Sequence, residues 1–226
     1  CHKSKEQLKG TYALKYIEWG EKQGYHKRPT CASRPRWWDL GERRISDLLY
    51  SYIIGEIHKI PINTISLADC NLFDIYLNDK QQIQNLAVII NSPIFRLFLE
   101  ISGREMTGSL TVLKIQIYEF KSVFVIRPGI ISVKAKLLNS FLTREIKSIF
   151  EELGFQKCTQ RNCNHPEHPY EYVKPEEVSF DRIMPDRREL DKIVFEALGL
   201  TEEEQLEVYR AVLELVKNRL LKAKSK

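Results

Sequence analysis

An α+β fold is what this 226-residue sequence predicts, on three observations. Apolar residues recur at helical spacing from Lys80 to Glu100 and again from Asp186 to Ala223. Short runs rich in Ile, Leu, Tyr and Phe, broken at Gly55, Pro61 and Asn71, read as strands between Leu48 and Leu77. A composition of 43% hydrophobic and 29% charged residues suits one globular domain of about 150 to 200 residues with an appendage, and not a disordered or fibrous chain.

The elements follow in order. Lys3 to Tyr25 shows hints of both periods through Leu8, Tyr12, Leu14, Tyr16, Ile17 and Trp19, so a short helix or an extended lead-in is expected. Gly20, Gly24 and Pro29 mark a loop after it. Around Asn91-Ser92-Pro93 two helices should meet, with Ser92 capping the second and Pro93 at its first position. Gly103-Arg104 and Gly108-Ser109 signal a turn. A strand covered on both faces is expected from Leu110 to Tyr118, and another from Val123 to Ile126, stopped by Pro128-Gly129. A helix from about Leu138 to Leu153 should end at Gly154. Lys157 to Pro185, with Pro166, Pro169, Pro175 and Pro185, reads as a polar loop.

The C-terminal end predicts a helical hairpin. Asp186-Arg187-Arg188-Glu189 has a capping-box pattern, and Leu190, Ile193, Val194, Ala197 and Leu198 form a stripe that Gly199 ends. Thr201-Glu202-Glu203-Glu204 opens the second helix, whose stripe is Leu206, Tyr209, Val212, Leu213, Val216 and Leu220. Lys217, Arg219, Lys222 and Lys224 suit its C-terminal dipole. The expected division is 1–137, then a helix and loop over 138–185, then the hairpin over 186–226.

Charge narrows the function. The formal net charge is +5, but Cys1 to Arg44 alone holds eleven Lys and Arg against five Asp and Glu. A strongly basic end favours an anionic partner. No run approaches the roughly 18 apolar residues that suggest a membrane span, so no membrane is expected. The chain opens Cys1-His2-Lys3-Ser4-Lys5, without Met or an apolar signal segment, and so reads as a piece of a longer protein. Five scattered cysteines make no disulfide framework, and a reducing, cytoplasmic compartment is expected. Cys31 and Cys70 read as small buried hydrophobes.

Catalytic signatures are absent: there is no nucleotide-binding glycine loop, no G-x-S-x-G and no H-E-x-x-H. Cys158-x4-Cys163-x-His165-x2-His168 places four zinc-type ligands in the proline-rich loop, where a structural zinc could staple a segment with no core of its own. The spacing is not that of a standard finger, and a polar surface loop is the plainer reading. The segment Lys27-Arg28 through Arg34-Pro35-Arg36-Trp37-Trp38 combines guanidinium and ammonium groups with flat rings. Those are the groups that hold phosphates, read guanine edges and pack on bases. Lys27, Arg28, Arg34 and Arg36, with Arg104 and Lys114 near the Gly103 turn, are the candidate DNA contacts. A tryptophan here is also expected to serve a core, with Arg36 covering it.

Tyr16 to Glu21 and Gly24 to Leu40 resemble the segment where target recognition begins in N6-adenine DNA methyltransferases of restriction-modification systems. Ile90-Asn91-Ser92-Pro93-Ile94-Phe95 is similar to a Leu-Asn-Ser motif heading a helix in those recognition domains. Gly108 to Phe120 with Val123 to Pro128, and Asp186 to Leu200 with Tyr209 to Ala223, resemble their strand pair and helical end. The resemblance implies a noncatalytic C-terminal part of a type II or fused restriction-modification enzyme that recognises double-stranded DNA. The family's Asn/Asp-Pro-Pro-Tyr/Phe motif and S-adenosylmethionine loop are not present, so the cofactor and the catalysis would belong to the N-terminal part of the parent enzyme. The alternative is a scaffold whose hairpin docks a catalytic domain or subunit.

Overall fold

The computed structural model describes residues 1–106, 112–155 and 172–222, and the chain divides into two units, Cys1–Ile45 and Ser46–Lys226. In the first unit the early residues resolve as a helix, α1 (Tyr12–Lys22), because Thr11 accepts a hydrogen bond from Leu14 N at 3.3 Å and so caps it. Gly24, at φ 76°, turns the chain into a short 3-10 turn, Tyr25–Lys27, and then into α2 (Pro29–Ala32), which carries Pro29 at its first position. Trp37 is the unit's packing anchor: a Cβ on Gly20 would lie 2.5 Å from its Cη2 atom. Its indole donates to Glu21 Oε1 at 3.2 Å, and Lys5 donates to Glu21 Oε2 at 2.6 Å. These bonds, Lys5 foremost, hold the Glu21 carboxyl below the usual carboxylate range.

The second unit has the expected α+β make-up. Strand β1 (Leu48–Ser51) pairs antiparallel with β3 (Leu72–Ile75), and β2 (Ile53–Ile54), β5 (Leu113–Lys114) and β4 (Arg104–Glu105) form a second antiparallel sheet in that order. Helices α3 (Ile83–Ile90) and α4 (Pro93–Ser102) meet as the tripeptide predicts, with Ser92 Oγ accepting from Phe95 N and Pro93 at the first position. Asn91 adds a tertiary tie, since its side-chain amide brackets Ile60 by accepting from its N–H at 2.8 Å and donating to its carbonyl at 3.0 Å. Leu48, Tyr50, Phe95, Leu99, Leu113, Ile115, Leu138 and Val194 meet in one buried cluster. Each such side chain contributes roughly 1.5–3 kcal/mol when buried.

Several expectations need correction. The strand expected from Leu110 to Tyr118 is, among the described residues, only the two-residue β5. It gives way to α5 (Ile117–Ser122), because Glu119 Oε2 accepts from Gln116 N at 2.7 Å and fixes a helical turn. Val123 to Ile126 forms no strand: Val123 is buried and its N–H turns back to donate to Phe120 O at 3.3 Å, and Phe124 is 82% exposed. The helix expected from Leu138 to Leu153 is two, α6 (Ala135–Thr143) and α7 (Ile149–Glu152). The break comes at Arg144, whose guanidinium forks onto Glu152 with both bonds at 2.7 Å and also pairs with Asp186. Asp186 is therefore no cap; α8 (Pro185–Ala197) starts at Pro185 with Asp186 in its first turn. Within the polar loop, the described part anchors itself by burying Val173, Val178 and Ile183. Cys31 is half-buried and Cys70 exposed, so neither is a core residue.

The final helix, α9 (Glu202–Lys222), opens with the expected box: Thr201 Oγ1 accepts from Glu204 N at 3.3 Å, and Thr201 N donates to Glu204 Oε2 at 2.7 Å. It touches α8 where Phe195 and Tyr209 meet edge-on at 5.4 Å and where Tyr209 donates to Asp191 at 2.9 Å. Much of its stripe packs with α7 and the 172–184 segment in a second buried cluster. Arg219 is not a dipole partner in solvent. It is buried and bonds Glu100 of α4 through two nitrogens, at 3.2 and 3.1 Å. Among the described residues no single helix is long and apolar enough to cross a membrane, and the one pair that is so when taken together, Lys80–Ile90 with Pro93–Ser102, is bent by 69°.

His58 gives this unit a pH-dependent stability. Its Nε2–H donates to Ile90 O at 2.8 Å, which requires no charge on the ring. Burial, reinforced by the positive Arg96, pushes its pKa down to about 3. The unfolded chain thus binds a proton near pH 6.5 that the folded chain refuses, and stability falls as pH drops below that value, by at most about 1.4 kcal/mol per unit. Asp191, raised to about 6 by burial, acts in the opposite sense between its two values but equally in both proteins compared. His58→Gln should be less stable than wild type at pH 7.5 and recover roughly 2–3 kcal/mol against it by pH 4.5. Urea melts at the two pH values would show this, and a constant gap would refute it.

Candidate nucleic-acid interface

In the first unit the 3-10 turn and α2 bring Lys27 and Arg28 to the surface, both exposed. Arg28 lays its guanidinium over the Tyr25 ring at 4.5 Å. Arg34 is half-buried and donates to Trp37 O at 3.4 Å, a long bond to a neutral acceptor. Arg36 is placed differently. It grips Asp39 Oδ2 through Nε and Nη2, at 3.1 and 2.6 Å, while Asp39 Oδ1 takes Gly41 N at 3.0 Å and faces His2 at 2.9 Å. These bonds, Arg36 foremost, hold Asp39 below the usual carboxylate range. Arg36 thus folds the segment, and its charge is already answered. Trp38 meets Trp37 edge-on at 6.3 Å and donates to Lys3 O at 3.3 Å, so both tryptophans are structural in this unit.

In the second unit, strand register brings two candidates together, Arg104 of β4 directly opposite Lys114 of β5. Like charges in that position repel, and the Glu119 carboxylate beside Arg104 relieves part of that repulsion. Arg104 is anchored by Glu119 at 2.8 Å and lies over the Tyr118 ring, while Lys114 lies over the Tyr52 ring at 5.6 Å. Residues 107–111, part of the expected turn between them, lie outside the described residues. Cys158, Cys163, His165 and His168 do as well; among the described residues no group of His, Cys, Asp and Glu is placed to hold a metal.

Residue-by-residue inspection for basic side chains misses a set of rings. Tyr12, Tyr16 and Trp19 are exposed on one side of α1 with the half-buried Tyr25 against Trp19, and the signal in the sequence is the i, i+4, i+7 spacing of the first three.

An α+β chain with a small, strongly basic and aromatic N-terminal unit is thus the class that fold and site define together. Residues 2–155, more than half of the chain, match the model of the C-terminal domain of type II methyltransferase M.Eco57I. The chain belongs to that family. The match runs from the basic unit through α7 and stops before the loop that precedes α8 and α9. No curated protein and no solved structure matches the chain.

Proposed function

We propose that this chain is the noncatalytic, sequence-reading part of an S-adenosylmethionine-dependent adenine-N6 DNA methyltransferase of a restriction-modification system, and that it grips double-stranded DNA. The observation that carries this reading is the charge of the first unit, eleven Lys and Arg against five Asp and Glu, in a family of methyltransferase C-terminal domains. Lys27, Arg28 and Arg34 would meet phosphates, and Arg104 and Lys114 would supply a second contact. Phosphate contacts fix register, and base-edge contacts choose the sequence. Arg36 supports its neighbours from its pairing with Asp39.

The test is binding of the full chain to mixed duplex DNAs across a salt series, compared with Lys27→Ala/Arg28→Ala/Arg34→Ala. Each phosphate contact adds about 0.9 to the slope of log K against log salt, so the triple variant should lose roughly 2 to 3 from it and bind all sequences more weakly. Equal slopes would overturn the assignment. Loss of nothing at all would favour a second reading, a scaffold that docks the catalytic part of the enzyme through exposed apolar residues such as Phe124 and Ile130, which are 82% and 59% exposed.

A further inference from the structure

The outer face of α1 has no part in the phosphate contacts assigned above, yet it is the most unusual surface of the first unit. Tyr12, Tyr16 and Trp19 share one side of the helix and are 86%, 67% and 44% exposed, while Ile17 and Gly20 are buried. Tyr16 stacks on Trp19 at 5.4 Å, and Trp19 meets the half-buried Tyr25 edge-on at 5.5 Å. Cations close both ends, Lys15 lying over Tyr12 at 5.2 Å and Arg28 over Tyr25 at 4.5 Å. Lys22 lies on the same flank of the helix as Lys15, seven residues along. Contiguous apolar surface of this kind marks a binding site when it is exposed.

The charge of the unit decides which partner fits. A strip bordered by Lys15, Lys22 and Arg28, on a unit with a net charge of +6, complements phosphate and repels a basic protein surface. Intact duplex DNA offers phosphates and sugars, but its base faces are closed by their own stacking. Unpaired nucleotides offer both, and aromatic platforms bordered by cations are how proteins hold them without sequence preference. We propose that the α1 strip binds unpaired DNA, with bases stacking on Tyr12 and Tyr16 and phosphates meeting Lys15 and Lys22. The inference rests on the reading of the chain as a DNA binder. An enzyme that must take its target base out of the duplex leaves the opposite base unpaired, and the strip would hold nucleotides left unpaired in this way.

The experiment uses the full chain, a short oligothymidylate, and a fully paired duplex. Wild type should bind the oligothymidylate with quenching of tryptophan fluorescence. Tyr12→Ala/Tyr16→Ala should weaken that binding by roughly tenfold or more, Tyr12→Phe/Tyr16→Phe should retain it, and duplex affinity should stay within about twofold in both, as expected if the intact duplex does not use these rings. Both positions are exposed, and matching thermal melts confirm that the variants fold. Equal oligothymidylate binding by wild type and the alanine variant overturns the proposal. So does an equal loss on duplex, which would place the rings in the duplex contact, and so does unchanged DNA binding with lost association to the catalytic part of the enzyme. Failure of the duplex reading shows separately, in the Lys27, Arg28 and Arg34 salt series, which leaves Tyr12 and Tyr16 intact.

Discussion

Glu100→Ala is expected to lower the unfolding free energy by about 3–5 kcal/mol, because it leaves two buried guanidinium groups without their shared carboxylate. Arg96 of α4 and Arg219 of α9 both converge on Glu100, and the side chains of all three are only 2% exposed. Both arginines also donate to Gly55 O, at 2.8 and 3.3 Å. Burial pulls the pKa of Arg96 down and Glu100 opposes that pull, so the carboxylate is what keeps the charge tolerable inside. Nε and Nη1 of Arg96 already lack a partner. The triple replacement Arg96→Met/Glu100→Leu/Arg219→Met should cost much less than the single one, since it removes the charges together with their desolvation. Urea midpoints with constant slopes would measure both. A single-variant loss below about 1 kcal/mol, the range of exposed pairs, would refute the account.

Gly154→Ala should cost about 2–4 kcal/mol, and Gly199→Ala only about 1, although the two glycines end helices in the same way. Gly154 has φ 88° and Gly199 φ 71°. Each closes a pair of C-terminal bonds of the same pattern: Phe155 N to Phe150 O and Gly154 N to Glu151 O after α7, Leu200 N to Phe195 O and Gly199 N to Glu196 O after α8. The left-handed backbone conformation is therefore required twice. The difference lies in the space around them. A Cβ on Gly199 meets nothing within 4 Å, whereas one on Gly154 would sit 2.4 Å from Arg182 O, a backbone atom that cannot swing aside. Equal losses in thermal melts of the two variants would show that the close approach to Arg182 contributes nothing.

These comparisons also mark how far the sequence could be read. The turn at Asn91-Ser92-Pro93, the Thr201 box and the two terminal glycines were legible, because each is an interaction among residues within one helical turn. The basic first unit was legible from a count of charges. The break at Arg144 was not, because the apolar period runs unbroken from Leu138 to Leu153 while the partners that interrupt it, Glu152 and Asp186, are brought together by packing. Arg219 looked like a surface cation at a helix end for the same reason, its carboxylate being 119 residues away. Of the site, Lys27, Arg28 and Arg34 were found by residue type, yet nothing local told Arg36 apart from them, since only the fold shows Asp39 held among Arg36, His2 and Gly41.

By itself, then, the sequence determined the α+β class, the places where α4 and α9 begin and where α7 and α8 end, and the concentration of positive charge in the first unit. Tertiary structure alone decided which charges are spent inside the fold, which strands survive as two-residue ladders, and which rings stay in solvent. The physical reason is that capping and periodicity are set by neighbours in the chain, whereas burial depends on which distant residues arrive to cover a side chain, and no local pattern carries that information.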